Sequence, residues 1–84
     1  MDLKVFLYIT AAEYEIDGHI LGVGNLDKAS VYTWIASEMA KGKVKKLLKR
    51  AYVLLNGGEP WKAKRFLERA VAVLAEQHDK TEKF

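Results

Sequence analysis

The stretch that decides the fold covers residues 43 to 77 and reads KVKKLLKRAYVLLNGGEPWKAKRFLERAVAVLAEQ. On both sides of a turn at residues 56–60, apolar residues recur at the three- and four-residue intervals that mark one face of a helix. A glycine just past the last apolar residue and a proline at the start of the next segment are typical of a helix end followed by a helix beginning. The stretch therefore predicts two amphipathic helices, over residues 43–55 and 60–77, joined as an antiparallel hairpin.

The inner faces of this predicted hairpin carry large and small residues in a defined order, which is large, small, large on the first helix and small, large, small on the second. The residues that carry the order are Leu47, Ala51, Leu54, Gly58, Ala63, Leu67 and Ala70. This pattern resembles one tetratricopeptide repeat over about 34 residues, and the resemblance implies a groove for a peptide or a protein. Arg50 and Ala75 replace the leucine and proline common in that repeat, and the chain holds one copy, which does not bury its own face. The alternative interpretation is a helix pair that crosses at alanines.

The N-terminal part of the chain predicts a small antiparallel sheet. Residues 3–10, LKVFLYIT, are of the β-branched, aromatic and aliphatic kinds that favour a strand. Asp17-Gly18 then lies between two short apolar segments, which is a hairpin-turn signal, and Gly22-Val23-Gly24 predicts a loop that ends the last strand. A rival interpretation is one helix over residues 2–15, whose inward residues would be Leu3, Phe6, Leu7 and Tyr14.

The whole chain is accordingly expected to be a single α+β domain over residues 1–84. Its first part, residues 1–25, would be the β-hairpin region, and residues 27–77 would form three helices. Residues 78–84 are predicted to be a flexible tail. The edge of so small a sheet would be open to pairing with a second copy, which makes a homodimer one expectation. An all-α helical bundle is the alternative fold.

Composition narrows the classes of function. The chain has 84 residues, of which 50% are hydrophobic, and it has no cysteine. Disulfides, cysteine-based zinc sites and cysteine nucleophiles are therefore excluded. No run of about 18 apolar residues is present, so no membrane span is predicted and a cytoplasmic location is expected.

Charge is strongly segregated along the chain. Residues 1–40 contain two Lys/Arg and six Asp/Glu, a net charge of −4, whereas residues 41–69 contain ten and two, a net charge of +8. Residues 70–84 contribute −1, so the overall charge of +3 hides the separation. A basic surface between Lys41 and Arg69 would attract a polyanion or an acidic protein.

Two functions follow from this surface, and neither is enzymatic. The first is a non-catalytic protein–protein interaction module, acting as an adaptor, inhibitor or assembly subunit through the basic face of the helical hairpin. The second is a nucleic-acid-binding protein that contacts phosphates through the same surface. The alternative to both is that the cations form ordinary solvated helix faces. The candidate binding residues are Trp34, Lys45, Lys46, Lys49, Arg50, Trp61, Lys62, Arg65 and Arg69.

The two tryptophans are included for different reasons. Trp34 lies off the main apolar stripe of its predicted helix, where a large exposed aromatic often marks a contact surface. The alternative is that Trp34 packs under the sheet. Trp61 lies near basic residues and would be placed to stack on a base, or else to wedge the helix turn.

Catalytic and metal-binding patterns are weak. The chain has two histidines, His19 and His78, and neither lies near a serine in a way that predicts a nucleophile. Glu13 and Glu15 would share a face of a strand near His19, but exposed hairpin acids seldom hold a metal. We therefore predict no catalytic residue, no metal site and no cofactor.

Overall fold

Four helices account for the regular structure. The structure, a computed structural model, describes residues 2–81, and it describes side chains as far as Gln77. The helices are α1 (Leu3–Ile20), α2 (Leu26–Met39), α3 (Gly42–Asn56) and α4 (Pro60–Thr81). Within residues 2–81 there is no strand.

The helices form a ring in which each runs antiparallel to its neighbours. Helix α1 packs against α2, α2 against α3 and α3 against α4, and a narrower contact between α1 and α4 closes the ring. Near the start of α2, Ser30 donates a hydrogen bond to Asn56 at the end of α3 (3.2 Å), and farther along α2, Trp34 packs on Tyr52. This is an up-down-up-down four-helix bundle. Helical repeats instead stack into an open array, so the resemblance to a tetratricopeptide repeat is limited to the sequence pattern of α3 and α4.

The predicted N-terminal sheet is wrong, and the all-α alternative is confirmed. Helix α1 buries residues spaced four, three and four apart, which is a helical and not a strand interval. These residues are Val5, Ile9, Ala12 and Ile16. The expected homodimer through a sheet edge has no sheet on which to form. The rival helix over residues 2–15 has the right secondary structure. Of its expected inward residues, Phe6 packs against the core, whereas Leu3, Leu7 and Tyr14 are exposed.

Asp17-Gly18 lies inside α1, and its glycine serves a close approach of two backbone segments instead of a hairpin turn. The loop after α1 folds back so that Gly24 lies against the last turns of the helix. A Cβ on Gly24 would lie 2.1 Å from the carbonyl oxygen of Glu15 and 2.2 Å from the amide nitrogen of His19. A Cβ on Gly18 would in turn lie 3.0 Å from the Cα of Gly24. Glycine at both positions lets the chain turn back and start α2.

The hairpin of α3 and α4 is confirmed, and its helices begin and end close to the predicted residues. Gly58 lies in the turn with a φ of 77°, a left-handed conformation that glycine adopts readily. Alanines at the crossing are fully buried, among them Ala51, Ala63 and Ala70. Helix α4 continues to Thr81, four residues past its predicted end at residue 77. Residues 82–84 lie outside the described residues.

Helix α2 buries a face made of small residues. These are Ala29, Thr33, Ala36 and Ser37. The two buried hydroxyls are satisfied within the helix, because Thr33 donates to the carbonyl of Ala29 (2.8 Å) and Ser37 donates to the carbonyl of Trp34 (2.7 Å). Across residues 2–81, no helix is both long and apolar enough to cross a bilayer.

Candidate binding groove between the third and fourth helices

Helix α3 presents three distinct faces to its surroundings. Its core face carries Val44, Leu48, Ala51 and Leu55. At 100° per residue, Lys43, Leu47, Arg50 and Leu54 fall on one flank of that face, which adjoins α4. The other flank adjoins α2, where Tyr52 meets Trp34. The flank facing α4 is the one that forms a groove.

Helix α4 supplies the second wall of this groove. Lys62, Phe66, Arg69 and Val73 follow one another at intervals of four, three and four residues along the side that adjoins α3. Two openings of about 460 Å³ and about 280 Å³ lie between the helices, and Arg69 borders both of them. The openings therefore form a single shallow groove, which we call the α3–α4 groove.

The floor of the α3–α4 groove is apolar. Leu47, Leu54, Phe66 and Val73 line it, and each is only partly buried. The sequence pattern places all four on the apolar faces of the two predicted helices, and it does not indicate their role in a groove. The available signal was their position at the edge of each apolar stripe, since residues at the edge of a stripe are covered on one side only.

The rim of the α3–α4 groove is cationic. Arg50, Lys62, Arg65 and Arg69 all line the larger opening, so the structure brings together four of the predicted binding residues. Lys62 forms an ion pair with Glu59 over 3.0 Å, and among residues 2–77 Glu59 is the one acidic residue that lines the opening. None of the three arginines forms an ion pair with a carboxylate of residues 2–77. Their guanidinium groups are thus available to an external anion.

One of these arginines contacts the apolar floor. The Arg69 guanidinium carbon lies 5.5 Å from the centre of the Phe66 ring, within the range of a cation–π contact. This contact orients the Arg69 side chain over the groove without neutralising its charge. A partner is therefore offered a charged group and an aromatic edge at the same point.

The other predicted binding residues lie elsewhere on the bundle. Lys46 and Lys49 are exposed on α3, turned away from the core, and Lys45 is 3.9 Å from Glu38 of α2. Trp34 is 43% exposed and packs against Tyr52, so the prediction that it packs under a sheet is wrong. Trp61 is 62% exposed near the start of α4 and does not line the groove.

A second charged cluster joins α4 to α1, its other neighbour in the ring. Lys64 donates a hydrogen bond to the Asp17 carboxylate, and this bond raises the pKa of Lys64. Burial raises the pKa of Glu13, and repulsion from Glu68 raises it further, whereas the nearby Lys64 acts in the opposite direction. The bond between Lys64 and Asp17 links the two helices, whereas repulsion between Glu13 and Glu68 opposes their contact, and we do not take this cluster as a candidate site.

No cluster of ligand-type residues exists within the described chain that would hold a metal ion. Glu15, one of the acids considered in the sequence, accepts a hydrogen bond from the backbone of Asn25 (3.3 Å), which ties the α1–α2 loop to α1. A further opening of about 420 Å³ lies where α2 ends and α3 begins, and both apolar and polar residues line it, among them Val5, Leu74, Asp2 and Lys41. The α3–α4 groove is therefore the surface at which the most functional groups converge. Comparisons of the chain with protein-family models, curated proteins and solved structures find no match.

Proposed function

We propose that the chain is a non-catalytic protein-binding module whose α3–α4 groove takes an acidic amphipathic helix. The observation that carries the proposal is the combination of an apolar floor with three arginines that form no ion pair with a carboxylate of residues 2–77. A helix that lies in a groove presents apolar residues every three or four positions and charged residues beside them. Such a helix would match both the floor and the rim.

The choice of arginine at the rim favours a carboxylate partner. A guanidinium group is planar and offers paired donors that match the two oxygens of a carboxylate. Arg50 belongs to α3, whereas Arg65 and Arg69 belong to α4, so the groove is charged on both walls. Glutamate or aspartate residues on either flank of a bound helix would therefore meet a guanidinium group.

A nucleic acid is the second candidate partner, and exposed cations outside the groove favour it. Lys46 and Lys49 extend the positive surface across the outer side of α3. Single-stranded nucleic acids, however, bind to exposed aromatic faces. Within the groove, Phe66 is partly buried and covered by Arg69, and the exposed Trp61 lies outside the groove. The apolar floor would also have no role in phosphate contact, so the protein partner accounts for more of the observed groove.

Two probes separate these functions. The first is a labelled helical peptide of about 15 residues, long enough for four turns, with leucines on one face and glutamates beside them. A scrambled peptide of the same composition is its control, and a labelled random-sequence oligonucleotide is the second probe. We expect the amphipathic peptide to bind more tightly than the scrambled one in a fluorescence anisotropy titration.

Two charge-reversed variants then locate the binding surface. Arg65→Glu combined with Arg69→Glu changes the groove, and Lys46→Glu combined with Lys49→Glu makes the same change of charge outside it. The groove variant should lose tenfold or more in peptide affinity, the scale of an interface arginine. The matched control should change affinity by less than about threefold, since rim and distant charges act mainly through long-range attraction.

The proposal is overturned if both variants weaken peptide binding equally, or if the peptide and its scrambled form bind alike. Tight oligonucleotide binding that falls steeply with salt, and that both variants reduce, would establish the nucleic-acid function instead. Far-UV circular dichroism of each variant checks that the bundle is intact.

A further inference from the structure

Helix α1 carries a second apolar face, directly opposite the face that it buries in the core. Leu3 is 63% exposed, Leu7 55%, Tyr14 78% and the C-cap residue Leu21 79%. On a helical projection these four side chains fall within about 40° of one another. We call this the outer face of α1.

The spacing along the outer face is that of a helix-pairing seam. Leu7, Tyr14 and Leu21 are seven residues apart, and Leu3 precedes Leu7 by four. A repeat of seven with intervals of four and three keeps an apolar seam aligned with one partner helix along its length. A helix that is apolar on opposite sides is normally covered on both, and in the bundle α1 is covered on one.

We propose that the outer face of α1 pairs with the same face of a second copy of this chain, in antiparallel orientation. In a two-fold arrangement centred near Ala12, Leu3 of one copy lies opposite Leu21 of the other, Thr10 lies opposite Tyr14, and Leu7 lies opposite Asp17, whose carboxylate is bound to Lys64 of its own copy. The leucines at the two ends of the seam thus cover each other in the way that an isologous two-fold interface requires.

The distribution of charge along α1 selects the antiparallel orientation. Lys4 is the one lysine of α1 and lies in its first turn, whereas Glu13, Glu15 and Asp17 lie in the second half. Antiparallel pairing places Lys4 of each copy beside the acidic half of the other. Asp17 is bound to Lys64 and Glu13 lies beside α4, so Glu15, which forms no ion pair with a cation of residues 2–77, is the carboxylate offered to Lys4. Parallel pairing would place the acidic halves side by side, and the repulsion would disfavour it.

The area available fits a reversible dimer. Four large apolar side chains and their neighbours on each copy would bury on the order of 1,000 Å² in total, which is near the lower limit for a specific interface. The α3–α4 groove is formed by the other two helices and stays open in such a pair. The dimer would present two grooves, and this inference does not depend on what the grooves bind.

The oligomeric state tests the proposal directly. In sedimentation velocity, the wild-type chain of 9.5 kDa should shift to twice that mass as its concentration rises toward the millimolar range. Leu7→Glu and Tyr14→Glu should each remain monomeric, because each places a charge in the seam. Val53→Glu is the matched control, since Val53 is 64% exposed on α3, away from the seam, and it should dimerise like the wild type.

Cysteine cross-linking tests the orientation, because the natural chain has no cysteine. Leu3 and Leu21 are about 27 Å apart along α1, too far for a disulfide within one copy. With oxidised glutathione as the oxidant, the double variant Leu3→Cys/Leu21→Cys should form covalent dimers. Leu3→Cys alone should not form them, since antiparallel pairing keeps the two copies of residue 3 apart.

Three results would overturn the proposal. One is a wild-type chain that stays monomeric at every concentration, and a second is a dimer that Leu7→Glu and Tyr14→Glu leave intact. The third is efficient cross-linking of Leu3→Cys alone, which would mean a parallel pair. If the monomeric chain instead sediments with anionic lipid vesicles, and Leu7→Glu abolishes that binding, the outer face is a lipid-binding surface and the second copy is not its occupant.

Discussion

The α3–α4 hairpin separates its apolar residues from its charges, whereas α1 carries apolar residues on opposite sides. In α3, the buried positions form one stripe and the lysines lie away from it. In α1, Ile9 and Ile16 face the core while Leu7 and Tyr14 face away from it. The two regions are both helical, but only the hairpin has a sequence pattern that fits a helix alone.

This difference explains why the secondary structure of the hairpin is easier to predict from the sequence than that of α1. A pattern identifies an element when its apolar residues match one period and conflict with the alternatives. In residues 3–10, Leu3, Val5, Leu7 and Ile9 alternate as in a strand, while Val5 and Ile9 also share a helical face. The residue types of this segment favour a strand. The segment is nevertheless a helix in the bundle, because a helix satisfies its own backbone hydrogen bonds and packs on α2 and α4.

The largest expected effect comes from substituting two neighbouring residues of α1. Ile9 is fully buried and Leu7 is 55% exposed, although a strand would place both on one face. Ile9→Ala should lower the free energy of unfolding by about 2–5 kcal/mol, and Leu7→Ala by less than about 1 kcal/mol. Urea unfolding of dilute protein measures both. Similar losses for the two variants would contradict the helix.

The next largest effect is expected at a glycine of the α1–α2 loop, compared with a glycine of the α3–α4 turn. A Cβ on Gly24 would overlap backbone atoms of α1 at 2.1 and 2.2 Å, whereas a Cβ on Gly57 in the α3–α4 turn would lie 3.3 Å from the carbonyl oxygen of Val53. Because backbone atoms of a helix do not move aside easily, Gly24→Ala should cost about 1–3 kcal/mol or more. Gly57→Ala should cost clearly less. Thermal unfolding of both variants checks this, and equal melting temperatures would rule out the close approach.

A smaller effect is expected from the residues that precede the first turns of α1 and α3. Asp2 accepts hydrogen bonds from the backbone nitrogens of Lys4 (3.1 Å) and Val5 (3.2 Å) and so caps α1. Lys41 precedes α3 without a capping side-chain bond. Asp2→Ala should therefore lower stability by about 1 kcal/mol, while Lys41→Ala should leave it nearly unchanged. Chemical denaturation decides, and a loss from Lys41→Ala as large as that from Asp2→Ala would contradict the assigned caps.

Much of the hairpin could be predicted from the sequence, and much of α1 and α2 could not. The cations of the groove were identified, because Lys62, Arg65 and Arg69 stand out in a charge count. Their convergence with Arg50 depends on how α3 packs against α4, and this packing cannot be predicted from the residues of either helix alone. Helix α2 was harder to orient, since its buried face uses Thr33 and Ser37 while Val31 is exposed. A hydroxyl that donates to a carbonyl of its own helix is buried at little cost. The polarity of a residue then no longer shows whether it lies on the buried or the exposed face of the helix.

The smallest expected effect lies where the two regions meet, at Glu13 of α1. Its pKa is raised from an ordinary value of 4.5, first by burial and then by repulsion from Glu68 of α4. A raised pKa means that the folded state holds the proton more tightly than the unfolded state, so this contribution to stability is present below pH 4.5 and is lost as the pH rises through the folded value. Glu13→Gln does not titrate, so its stability relative to the wild type should increase from acidic to neutral pH. Glu76→Gln is the control, because it removes one carboxylate as well, but from an exposed position. Urea unfolding of both variants from acidic to neutral pH measures the difference. A difference between Glu13→Gln and the wild type that does not vary with pH would mean that α1 and α4 meet without this electrostatic cost.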